Sequence, residues 1–189
     1  VPVELNASAH ANDDFSKSKA ISDLTDWNIY SPVWAPVSLD GQWLKLQDKD
    51  PFDYAKVERK IPASKELKVS FDLQAGQNDK GTLQIEFLDE NGIACSRLEL
   101  TPDGVFRAKG GSRFANMMKY EAGKTYHVEA VLSTADRNIQ VYVDGKRVGL
   151  RMFYAPVASI ERIAFRTGVP RTFPTVDTPA DQTYDLPGA

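Results

Sequence analysis

The stretch 137-RNIQVYVDGKRVG-149 decides how the rest of the chain is read. Ile139, Val141 and Val143 alternate with Gln140 and Tyr142, the two-residue period of a half-buried strand. Asp144-Gly145 follows, a pair suited to a two-residue turn that needs φ > 0. Lys146, Arg147 and Val148 begin a return strand, so the stretch predicts a β-hairpin.

The same pattern extends outward. Just upstream, 126-YHVEAVL-132 places Tyr126, Val128, Ala130 and Leu132 on one face. In 67-LKVSFDL-73, Leu67, Val69, Phe71 and Leu73 oppose Lys68, Ser70 and Asp72. In 82-TLQIEFL-88, Leu83, Ile85 and Phe87 oppose Gln84 and Glu86. The runs 93-IACSRLEL-100 and 105-VFRAK-109 follow the turns 89-DENG-92 and 101-TPDG-104, and 160-IERIAFRTG-168 is a last strand. Turn signals at intervals of about 8–12 residues mark a β-sandwich or barrel. Alternation with one polar face per strand marks antiparallel pairing. The predicted class is therefore all-β, an antiparallel β-sandwich. Its predicted core is Leu67, Val69, Phe71, Leu83, Ile85, Phe87, Val128, Leu132, Ile139, Val141 and Phe165. The segment 111-GSRFANMMKYEAG-123 reads as a short helix or a loop. Near the start, 38-SLDGQWLKLQ-47 reads as a turn at Asp40-Gly41 and then a short strand, and Pro32 and Pro36 exclude a long helix or central strand before it.

Three segments are expected. Residues 1–12 form an extended N-terminal arm or linker, residues 13–166 the sandwich, and residues 167–189 a Pro-rich C-terminal tail. The tail carries Pro170, Pro174, Pro179 and Pro187 but keeps Phe173, Tyr184 and Leu186, so it reads as an extended strap with apolar anchors. The 189 residues suit one large β domain. A net charge of -3 with mixed signs offers no basic footprint for nucleic acid. No apolar run approaches the ~20 residues of a membrane span. Cys95 is the single cysteine, which excludes an internal disulfide. The chain starts without Met or a signal-peptide pattern and reads as an excised domain or fragment of a longer protein.

The order of these pieces resembles the concanavalin A-like (laminin-G-like) jelly roll. The residues that carry the likeness are "DDFS", "LTDW" and "GQWLKLQD" near the start and 124-KTYHVEAVLSTADRNIQVYVDGKRV-148 late in the chain. Two further stretches, 48-DKDPFDYAKVERKIP-62 and 153-FYAPVASIERIAFRTG-168, resemble the accessory sandwich of large secreted bacterial polysaccharide-degrading proteins. The resemblance implies a secreted, periplasmic or cell-surface protein of a bacterium, with its chemistry on another domain.

The glycanases of that fold carry Glu-x-Asp-x-x-Glu on one strand, which sets two carboxylates on one face. Here Glu86 and Asp89 are three apart and would point to opposite faces. A lyase would need a base, and only His10 and His127 are present as histidines; His127 reads as a solvated or hydrogen-bonded strand histidine. The expected function is a non-catalytic accessory domain that supports or docks a catalytic domain. The alternative is an independent carbohydrate-binding module recognising a polysaccharide. A third reading keeps open a lyase or hydrolase site shared across domains.

The polar residues expected to point away from the core are the candidate ligand contacts: Glu86, Arg97, Glu99, Arg107, His127 and Tyr142, with Gln84, Glu129 and Gln140 beside them. Arg97 and Arg107 could meet an acidic sugar. The competing reading is that these charges pair across strands and face water or a partner domain. Asp48, Asp50 and Asp53 are candidate ligands for a structural calcium ion, and Asp13 and Asp14 a second candidate pair. The competing reading is turn chemistry, in which Asp caps its own loop. The expected partners are another domain of the same protein and a polysaccharide.

Overall fold

The computed structural model describes residues 11–50 and 52–168. The hairpin at 137–149 forms as its sequence dictates. β11 (Asn138–Val143) pairs with β12 (Lys146–Met152), and the connecting Asp144 and Gly145 have φ of 49° and 80°. Asp144 Oδ1 accepts from the His127 N–H at 2.9 Å, which ties the turn to the neighbouring strand β10 (Thr125–Ser133).

Eleven of the thirteen strands among the described residues lie in two main sheets. β12, β11, β10 and β5 (Glu66–Gln74) form a four-stranded sheet. The seven-stranded sheet runs β1 (Trp27–Tyr30), β4 (Lys56–Ser64), β13 (Ile160–Thr167), β6 (Leu83–Leu88), β7 (Ala94–Leu100), β8 (Val105–Gly110) and β9 (Arg113–Lys119). β2 (Val37–Asp40) and β3 (Trp43–Leu46) make a separate hairpin. Every pairing is antiparallel. β13 lies between β4 and β6, so the end of the sandwich locks its first half together.

The two sheets close on one core. Ile85, Phe87, Val128, Leu132, Ile139 and Val141 are fully buried there, and Leu67, Val69, Phe71, Leu83 and Phe165 pack against it partly buried. Phe71 and Phe165 meet edge to face at 5.1 Å. The predicted core residues thus occupy one cluster, as their shared strand faces require. A second cluster of Ala35, Val37, Ala55 and Val57, with Trp27, Ile29, Leu44 and Leu46 against it, seats the β2–β3 hairpin.

Two local readings differ from the structure. Residues 113–119 are the strand β9, not a short helix or a loop. β4, nine residues long, and β2 were not anticipated as strands. β13 runs to Thr167, within the strand expected over 160–168; Thr167 Oγ1 accepts from the Ala55 N–H at 2.9 Å and donates to Asp48 at 2.9 Å. The expectations for residues 1–10 and 169–189 fall outside the described residues.

Candidate functional site

The alternation that buries Ile85 and Phe87 puts Gln84 and Glu86 on the other side of the seven-stranded sheet. Register then decides their partners: Glu86 lies opposite Arg97, Gln84 opposite Glu99, and Glu99 opposite Arg107. Arg97 Nη2 donates to Glu86 Oε2 at 3.1 Å, Gln84 Nε2 to Glu99 Oε2 at 3.0 Å, and Arg107 Nε to Glu99 Oε1 at 2.8 Å. Lys56 and Arg162 flank Glu58 on the same face at 3.8 and 3.1 Å. Aromatic rings cover part of this layer. Lys109 Nζ sits 4.3 Å from the Tyr154 ring, Arg107 lies 4.3 Å over Phe114, and Arg166 lies 4.0 Å over Tyr54. Burial, and then the nearby Arg97 charge, hold the Lys109 ammonium below the ordinary lysine range, while Glu86 acts in the opposite direction.

Glu86 and Arg97 are only 1% and 2% exposed. These residues point away from the core, as expected, but they do not form an open polar surface. Arg97 and Arg107 are each matched to a carboxylate on the neighbouring strand. The charges of Glu86, Glu99 and Glu58 pair across strands.

His127 and Tyr142 sit elsewhere, on the outer face of the four-stranded sheet. His127 Nδ1 is 2.8 Å from Asp72 Oδ1, Lys68 Nζ is 3.0 Å from Glu129, and Tyr142 Oη donates to Gln140 at 3.1 Å. This face is largely open to solvent. The six proposed ligand contacts therefore split between the outer faces of two sheets. A single strand alternation cannot reveal this, because it gives a face and not the sheet that owns it.

The aspartate-rich loop is where a cavity forms. A cleft of about 380 Å³ is lined by Asp48, Lys49, Asp50, Asp53, Tyr54, Gln77, Lys80, Gly81, Arg166 and Gly168. Each of the three aspartates accepts from donors of its own surroundings. Asp48 accepts from the Asp50 N–H at 3.0 Å and from Thr167 Oγ1 at 2.9 Å. Asp50 accepts from the Phe52 N–H at 2.8 Å, and Asp53 from the Tyr54 N–H at 2.9 Å and from Tyr30 Oη at 3.0 Å. Among the described residues no group of three His, Cys, Asp or Glu could hold a metal ion. At the other candidate pair, Asp13 binds Arg59 Nε at 2.8 Å, while Asp14 accepts from Ser16 and is held below the usual carboxylate range by that bond. Loop N–H and hydroxyl donors thus engage Asp48, Asp50, Asp53 and Asp14, while Asp13 is held by an ion pair to Arg59.

Sequence reasoning missed exposed side chains on the segments that adjoin this lining. Trp34 is 65% and Phe52 66% exposed, with Val33 and Tyr30 also open to solvent. The Lys49 N–H donates to the Trp34 carbonyl at 2.9 Å, and the Tyr30 ring packs on Tyr54 at 5.0 Å, so the segments that carry Trp34 and Tyr30 adjoin the lining. Trp27, in contrast, is partly buried and packs against the second core cluster.

The family model described as the sialidase-like CBM domain, CBM being a carbohydrate-binding module, matches residues 27–182. A solved sialidase structure is 89% identical over 97% of the chain, with a TM-score of 0.86, yet the chain spans only 17% of that sialidase. An apo Crh5 transglycosylase shares the fold at 10% identity and a TM-score of 0.58, over 91% of this chain and 76% of its own. A mutant of Trypanosoma rangeli sialidase with trans-sialidase activity shares it at 18% identity and a TM-score of 0.50, over 82% of this chain and 25% of its own. No curated protein matches the sequence.

Proposed function

The chain belongs to the sialidase-like carbohydrate-binding-module family as an accessory domain, and we propose that it holds a glycan for a catalytic domain elsewhere in a longer, secreted or cell-surface protein. The carrying observation is the pairing of an 89% identical match with a 17% share of the matched sialidase. A segment of that size beside a much larger remainder fits an accessory role. The sandwich of residues 13–166 is the unit proposed to act. Its tethering effect is one of effective concentration: a weak sugar contact keeps the catalytic domain close to a polymeric or cell-bound substrate.

The test removes the matching segment from the 89% identical sialidase. Turnover of a small soluble sialoside should stay the same, and turnover of a sialylated glycoprotein should fall several-fold. Equal turnover of both substrates with and without the segment would remove the tethering role.

A docking role against that catalytic domain is favoured by one further observation. Leu150 and Met152 lie two residues apart on the edge strand β12, and both are exposed. Leu150→Glu should loosen such a contact, which calorimetry would read as domains that unfold separately. Unfolding unchanged from that of the parent would leave only the glycan role.

A further inference from the structure

We propose that the cleft beside the 48–54 loop, with Trp34 and Phe52 on its rim, binds an uncharged pyranose ring of a glycan. This rests on the carbohydrate-binding reading above and assigns its site and its class of sugar. The cleft volume of about 380 Å³ lies within the roughly 300–1,000 Å³ of small-molecule sites. Its rim supplies the other half of a sugar site. A pyranose has one face of C–H groups and a periphery of hydroxyls, so it asks for an aromatic plate next to polar acceptors. Large aromatics left open beside a polar cavity are otherwise unfavourable to maintain and mark a binding surface.

The plate is held in place by the backbone. The Ala35 N–H donates to the Pro32 carbonyl at 3.1 Å, and the Lys49 N–H fixes the Trp34 carbonyl, while Pro32 and Pro36 restrict the loop on either side. Holding the loop before binding lowers the entropy lost when ligand arrives.

Charge selects the class of sugar. Asp48, Asp50 and Asp53 line the cleft together with Lys49, Lys80 and Arg166. Arg166 is 1% exposed with its guanidinium over the Tyr54 ring, so the cations open to a ligand are the two lysines. Three carboxylates against two lysines and Arg166 leave no net charge to draw an acidic sugar. The same carboxylates accept hydrogen bonds from neutral hydroxyls, and a charged acceptor strengthens each bond. On the outer face of the seven-stranded sheet, Arg97 and Arg107 are engaged by Glu86 and Glu99 and offer no competing anion site.

The test uses the full chain on an array of glycans in matched neutral and sialic-acid-capped pairs, followed by calorimetry on the best ligand. The neutral members should bind at least as well as their capped partners. Trp34→Ala should weaken binding by about tenfold or more, with Phe52→Ala weaker in effect and the melting temperature unchanged in both. Ile93→Ala, an exposed apolar site at the far end of β6, should bind like the parent. Binding that survives Trp34→Ala and Phe52→Ala, or that requires the acidic cap, overturns the assignment of site and class but leaves the carbohydrate-binding role standing. No binding to any glycan on the array overturns both.

Discussion

Replacing Glu86 with Leu would leave the Arg97 guanidinium buried without the carboxylate that its register supplies. Breaking a buried ion pair from one side typically costs about 3–5 kcal/mol, so urea titration of Glu86→Leu should show a loss of that order. Replacing both partners with apolar residues should cost much less, because no charge is then stranded. Cys95 gives a second prediction at this scale. Burial pushes its thiol up from 9.0 to about 12. A group raised on folding contributes stability that is complete below its unfolded pKa and is lost above it, so this contribution should fade as pH rises from about 9 toward 12. Burial raises Tyr120 in the same direction, whereas the lowered Lys109 opposes it. A thiol reagent at neutral pH should label Cys95 only at the rate of global unfolding, and Cys95→Ala should flatten the alkaline slope. Residue types and strand faces were legible from sequence. The burial of Glu86 and Arg97 was not, because it depends on rings such as Tyr154 brought in from a distant segment.

The hairpin at 138–152 shows why some elements could be read and others not. Asp144-Gly145 sets both positive φ values from two residues alone, so the turn is encoded locally. Gly145→Ala should destabilise the domain by about 1–2 kcal/mol, visible as a shifted urea midpoint, since the left-handed backbone is strained for any residue with a Cβ. β9 was missed for a reason visible in its burial. Phe114, Ala115, Met117 and Met118 are all partly buried, a spacing closer to helix than strand. A register shift between Phe106 and Arg107 in the facing strand breaks the two-residue period there. β4 was missed because Lys56, Val57 and Glu58 are buried in succession, with both faces of the sheet covered. Alternation identifies a strand only where one face meets water.

For the molecule as a whole, the sandwich was legible because turn signals and alternation repeat along most of the chain. The sheet order was not, since placing β13 between β4 and β6 joins residues about a hundred positions apart. The candidate cleft was half legible. Its aspartates stood out as a cluster, but their role as loop caps needs the positions of Thr167 and Tyr30, and the exposure of Trp34 needs the full course of the β2–β3 region. The proposed role is to bind sugar and leave chemistry to another part of the protein. Native electrophoresis of the isolated chain through a gel containing mucin tests it most directly, with released sugar assayed in the same lane. Migration should be retarded and restored by free glycan, with no sugar released. Unretarded migration in mucin and in its desialylated form, or release of sugar by the repurified chain, would contradict it.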